Sequence, residues 1–166
     1  IGLEPHNWVT AWVAITDSTE ENGCMRMWSG SHKDDLKNHN QMFNEGNLLT
    51  RGQTINNVPK EKVKPLILKA GQMSLHHPKV VHGSEQNKSN DRRIGFVIQS
   101  YIGTNVKQVL GINNVQLARG LDEYDYHKKI GRPNSLMDKK DIRIKKLENN
   151  NLQEIFYKGS TKKGTY

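Results

Sequence analysis

At 166 residues, 34% of them apolar, the chain is long enough for one domain with a modest core, and no run in it approaches the roughly 18 apolar residues of a membrane-crossing helix. The formal charge of +8 is lopsided: residues 1–102 hold 12 Lys or Arg against 10 Asp or Glu, and residues 103–166 hold 13 against 7. With neither stacking aromatics nor a reading helix beside it, this basic charge argues against nucleic acid as a partner, while the single Cys24 excludes an internal disulfide and points to a reducing, cytoplasmic setting.

In chain order, Val9, Ala11, Val13 and Ile15 alternate along one face of a predicted strand, with Trp12 on the other. The Glu21-Asn22-Gly23 turn leads into a second short strand over 24–28, where Cys24, beside Met25 and Met27, reads as a buried structural thiol rather than a nucleophile. The Gly30-Ser31-His32-Lys33 loop follows. Residues 33–62 are polar, rich in Asn and without period, which predicts a long irregular insert serving as a lid or a disordered loop. Strand signal returns over 65–68, 72–76, 80–82 and 94–101, separated by a turn at 69–72 and a loop at 83–91. Short strands joined by Gly-containing turns fit a barrel or sandwich. Beyond Gly103 the pattern loosens, and short helices are expected to the end; residues 138–148 mix charge signs at helical spacing, the mark of a solvated helix face.

Two residues carry the chemistry. His82 follows an apolar strand, where a neutral imidazole can bind a metal, and Arg93, eleven residues on, can clamp a carboxylate through its planar fork if it lies on the next strand. Arg92 alternates to the opposite face and is expected in solvent.

The wording around these residues is distinctive. Trp8 to Asp17 leads to Asn22-Gly23-Cys24, then Gly30-Ser31-His32-Lys33, then His82-Gly83-Ser84, Asn87-Lys88-Ser89 and Arg92-Arg93-Ile94-Gly95, in that order. This succession resembles the phytanoyl-CoA dioxygenase family over roughly residues 2 to 103. The resemblance implies a mainly β fold, a double-stranded β-helix of the jelly-roll or cupin-like kind, with a helical or irregular C-terminal tail. It also implies Fe(II), 2-oxoglutarate as cosubstrate and O2. On this likeness His82 is the distal iron ligand, Arg93 pairs with the far carboxylate of 2-oxoglutarate, Ser84 hydrogen-bonds the same cosubstrate, and Trp12 lines its pocket. His76 and His77 are expected to pack behind the ligand, and His32 to shape a turn near the mouth of the site. His127 has no partner readable from sequence, and Arg119 and Tyr124 lie in a segment shared with relatives without an assignable role.

The family holds iron with a His-x-Asp pair plus the distal His, and no such pair stands at the family's place here. His6-Asn7-Trp8 and His39-Asn40-Gln41 lack the carboxylate, and His32-Lys33-Asp34 has the spacing but lies in the Gly-Ser-His-Lys loop. In relatives the pair precedes the segment matching Gly2-Leu3-Glu4-Pro5, and this chain opens at Ile1. The expectation is therefore the C-terminal part of a longer polypeptide, with residues 1–102 forming part of the β-helix core, residues 103–166 an extension, and two iron ligands upstream. Three readings stay open: a hydroxylase of a small-molecule substrate; a halogenase, since some relatives replace that Asp by Ala or Gly; and a non-catalytic binding or scaffold protein without any triad.

Overall fold

Alternating apolar residues and β-branched side chains favour extended backbone, and the computed structural model, which describes residues 2–43, 49 and 52–160, is mainly β. Its strands are β1 (Leu3–Glu4), β2 (Trp8–Ala14), β3 (Met25–Trp28), β4 (Asn40–Gln41), β5 (Gln53–Thr54), β6 (Val63–Pro65), β7 (Met73–His76), β8 (His82–Ser84), β9 (Gly95–Ile102), β10 (Lys107–Gln108), β11 (Asn114–Val115) and β12 (Lys128–Lys129), followed by helix α1 (Lys139–Tyr157). The chain divides into two compact units, one of residues 7–42 and 53–102, the other of residues 1–6, 43–52 and 103–166.

The first unit holds two three-stranded antiparallel sheets, ordered β7-β2-β9 and β6-β3-β8, and the small β4-β5 pair. In β2, Trp12 and Ala14 are buried on one face. The opposite face carries half-buried Val9 and Val13 beside Met73, Leu75 and Phe96, which are exposed. A bulge between Val9 and Ala11 shifts the register against β9, where Ser100 takes a φ of 60°.

Side chains pin the turns between strands. After β2, Asp17 accepts the Ala70 N–H at 2.8 Å and the Lys69 ammonium at 3.0 Å, holding the turn into β7. Asn22 accepts the Thr19 N–H at 2.8 Å and donates to the Asp17 carbonyl at 2.9 Å. Gly23 then turns with a φ of 77°, and a methyl there would sit 2.6 Å from the Glu85 carbonyl oxygen, so this corner needs glycine both for conformation and for close approach. Cys24 is buried, and burial pushes its thiol pKa up, as expected of an inert structural thiol.

Several elements differ from the sequence expectations. His82 opens β8 instead of closing a strand, and Arg93 lies just before β9 instead of on it. The Thr16 hydroxyl holds this approach, donating to the Arg92 carbonyl at 3.0 Å and accepting the Ile94 N–H at 2.9 Å. The stretch 33–62 contains β4, β5 and a short 3-10 turn at Lys60–Lys62; residues 44–48, 50 and 51 of the expected lid lie outside the described residues. Toward the C-terminus one helix of 19 residues replaces the expected short ones.

In the second unit, β1 pairs antiparallel with β10, and β11 pairs parallel with β12. Helix α1 is capped by Asp138, whose carboxylate accepts the N–H groups of Lys140 at 2.9 Å and Asp141 at 3.0 Å, satisfying orphan donors of the first turn. Its buried Ile155 seats against Gly111, where a methyl would approach it to 2.8 Å. His127 lies in this unit with Nε2 2.7 Å from the Val106 carbonyl. No helix among the described residues is long and apolar enough to cross a membrane.

Candidate functional site

Strand period decides which side chains meet. Along β8, His82 and Ser84 share one face, and the register with β3 sets Met27 opposite His82 and Met25 opposite Ser84. Along β7, Ser74 and His76 alternate with Met73 and Leu75, and the register with β2 sets Ser74 opposite Trp12 and His76 opposite Thr10. The polar members of β7 therefore share a face with the Trp12 indole.

These faces come together around the predicted residues. Arg93 donates from Nη2 to Ser84 Oγ at 3.3 Å, and its Cζ lies 5.7 Å from the centroid of the Trp12 ring. The guanidinium thus rests on an aromatic face and is oriented by a hydroxyl, an arrangement that suits a weakly hydrated planar cation. Among the described residues no carboxylate forms an ion pair with Arg93; the ion pairs lie elsewhere. Arg92 is exposed, as expected.

His82 is exposed, and its Nδ1 lies 2.9 Å from the Val80 carbonyl. A carbonyl only accepts, so in the neutral ring Nδ1 carries the proton and Nε2 keeps its lone pair, the tautomer a metal ligand needs. The His76 ring centroid lies 6.0 Å from that of His82. His76 is buried, with Nε2 2.7 Å from Ser74 Oγ. Burial first, and the neighbouring His82 second, lower its pKa. Trp12, Arg93, Ser84, His82, His76 and Ser74 accordingly form a closed circuit of neighbours.

Sequence reasoning named four members of this circuit and placed His76 behind the ligand, but it passed over Ser74, Met25 and Met27. The usable signal for Ser74 was the alternation of polar Ser74 and His76 with apolar Met73 and Leu75, which sets Ser74 and His76 on one face of the strand. Among the described residues no group of three or more His, Cys, Asp or Glu side chains gathers to hold a metal ion.

A mainly β chain with two three-stranded antiparallel sheets, similar to solved cupin-like enzymes, belongs to the double-stranded β-helix, cupin-like class. The chain belongs to the phytanoyl-CoA dioxygenase family, whose model matches residues 3–95, and is thereby related to the oxygenases that use iron and 2-oxoglutarate. It is 33% identical over 86 residues to the peroxisomal phytanoyl-CoA dioxygenase of Homo sapiens, a match covering 51% of this chain and 25% of that protein. It is 32% identical over 102 residues to the phytanoyl-CoA dioxygenase domain-containing protein 1 homolog of Caenorhabditis elegans, covering 58% of this chain and 35% of the relative. Among solved structures it is similar to the non-heme monooxygenase ThoJ in its apo form, at 28% identity and a TM-score of 0.79, covering 93% of this chain and 56% of ThoJ. The ThoJ–Ni complex matches at 26% identity and a TM-score of 0.73, covering 95% and 55%. The chain thus spans about a quarter to a third of the curated relatives it matches and about half of ThoJ.

Proposed function

We propose that this chain carries the cosubstrate clamp and the distal iron ligand of an Fe(II)- and 2-oxoglutarate-dependent oxygenase that hydroxylates a C–H bond of a small molecule. The observation that carries the reading is Arg93: a guanidinium laid on Trp12, oriented by Ser84, and without a described protein carboxylate to neutralise it. Such a cation is ready for the distal carboxylate of a diacid, which it can grip by two parallel N–H···O bonds where an ammonium offers only a point charge.

His82 would hold the metal through Nε2, because the Val80 carbonyl engages its other nitrogen. The nickel complex of the ThoJ relative supports a divalent-metal site in this fold. When bound, Fe(II) with 2-oxoglutarate and O2 supplies an oxidant able to attack an unactivated C–H bond. The residues of this chain bind and orient: Arg93 and Ser84 hold the far carboxylate, Trp12 forms an apolar wall, and Met25 and Met27 present soft, polarizable side chains on the face that bears His82.

The test compares Arg93→Ala and His82→Ala in protein assembled with its complete iron ligand set, following succinate formation against 2-oxoglutarate concentration with Fe(II) in excess. Arg93→Ala is expected to weaken cosubstrate binding by about 2 to 5 kcal/mol, the usual cost of truncating one partner of a desolvated charge pair. His82→Ala is expected to abolish turnover at any cosubstrate concentration. An Arg93→Ala protein with unchanged apparent affinity for 2-oxoglutarate overturns the clamp.

A further inference from the structure

The Gly30-Ser31-His32-Lys33 loop plays no part in the chemistry above, yet its hydrogen bonds run to the segment that carries His82. Ser31 is 1% exposed. Its hydroxyl donates to the Trp28 carbonyl at 2.8 Å and accepts the Val81 N–H at 2.9 Å, so its proton and a lone pair are both engaged. The Trp28 N–H in turn donates to the Val81 carbonyl at 2.9 Å. Both backbone polar groups of Val81, the residue immediately before His82, are therefore satisfied from this one corner of the chain.

Neighbouring contacts tighten the same junction. The Lys79 ammonium donates to the Asp34 carbonyl at 2.6 Å, and the His32 and His77 ring centroids lie 5.5 Å apart. The Val80 N–H donates to the His77 carbonyl at 3.0 Å, closing the turn that presents the Val80 carbonyl to His82 Nδ1.

We propose that Ser31 is a positioning residue whose hydroxyl pins Val81, so that the adjoining Val80 carbonyl locks His82 in the tautomer that leaves Nε2 free for the metal. This rests on the reading of His82 as the metal ligand. Removing the hydroxyl strands a buried N–H and frees the junction to shift, which loosens the aim of the ring without touching the ring itself.

The experiment uses the chain labelled with 15N, at a pH about two units above the usual imidazole value, so that ring tautomers are read without protonation. Wild type, Ser31→Ala, Ser31→Thr and Asn22→Ala are compared by the nitrogen shifts of His82 and by deuterium exchange of the Val81 amide; then Co(II) is added as a paramagnetic probe. Wild type and Ser31→Thr, which both keep a hydroxyl, are expected to show His82 as the Nδ1–H tautomer and a protected Val81 amide. Ser31→Ala is expected to mix the tautomers and to speed Val81 exchange about tenfold. Asn22→Ala, which removes a buried turn-forming side chain ahead of β3, is expected to lower overall stability while leaving the His82 signals as in wild type. Should Ser31→Ala fail to fold, Ser31→Cys serves in its place, since a thiol is a weak donor and acceptor.

If Ser31→Ala or Ser31→Cys leaves the His82 tautomer and the Val81 exchange unchanged, the positioning role is overturned while the metal-ligand reading stands. If Asn22→Ala disturbs His82 as much as Ser31→Ala does, the effect is general destabilisation and the role is likewise overturned. If Co(II) leaves the wild-type His82 signals unperturbed in protein assembled with its complete iron ligand set, although the tautomer is locked, the metal-ligand reading falls and takes this inference with it.

Discussion

Gly95 shows how little room surrounds the Trp12 indole. A methyl built on Gly95 would overlap the ring of Trp12, which is itself 7% exposed and supports the Arg93 guanidinium. Gly95→Ala is therefore expected to cost about 1 to 3 kcal/mol, the range for overpacking a filled site, as measured by urea unfolding. Combining it with Trp12→Phe should recover part of that cost, because the smaller ring vacates the space the methyl needs. Strictly additive losses in the double variant would show that Gly95 matters for some other reason. At this scale the sequence supplied candidates: His82, Ser84, Arg93 and Trp12 were all nameable from motif words. Their mutual contacts were not, since Arg93 reaches Trp12 across a long stretch of chain that only folding brings together.

Turns joining the strands have their own electrostatics. Asp17 closes the end of β2 against the Lys69-Ala70 turn, and its pKa is lowered from the ordinary 3.8, first by the Ala70 N–H and then by hydrogen bonding to Lys69. A carboxylate whose folded pKa is depressed releases its proton more readily in the native state than in the unfolded chain. Its stabilisation is thus complete above the ordinary value and is lost as pH falls through the lowered folded value. The stability gap between wild type and Asp17→Asn should accordingly be full near neutrality and shrink on acidification to about pH 3, read from urea midpoints across that range. A gap that stays constant would mean that the carboxylate charge at Asp17 adds nothing a neutral amide could not supply. Element by element, strand alternation predicted β2, β3, β7 and β9 well, but it missed the beginning of β8 and the single C-terminal helix. In β8 the reason is that His82-Gly83-Ser84 has low strand propensity and is extended because β3 pairs with it. In α1, Asn149-Asn150-Asn151 weakens local helix preference, while the Asp138 cap and the packing of Ile155 sustain one continuous helix.

For the molecule as a whole, ligand count governs metal affinity. A facial site of this kind takes three protein ligands, and the described residues supply His82 without a cluster around it. The 166-residue chain is therefore expected to retain Fe(II) poorly. Equilibrium dialysis at micromolar concentration should find far less than one iron per chain; stoichiometric binding would reveal a ligand set that neither motif nor geometry discloses. The same chain leaves Met73, Leu75 and Phe96 exposed on the outer face of the β7-β2-β9 sheet, at 53%, 62% and 59%. Sequence alternation identified Val9, Ala11 and Val13 as one face, yet the most buried large side chain of β2 is Trp12 on the other.

What the sequence determined by itself was family and fold class, and it named the candidate site residues, because those are carried by short, ordered motifs and by the period of apolar side chains, both local in the chain. What only the tertiary structure decided was which face of each strand looks inward, that Arg93 stands before β9 held by Thr16, and that Ser31 ties the Gly-Ser-His-Lys loop to the residue before His82. The physical reason is register. A period of two assigns side chains to faces without saying which face is covered, and that choice belongs to partners such as β3 and β7, which reach β8 and β2 from dozens of residues away.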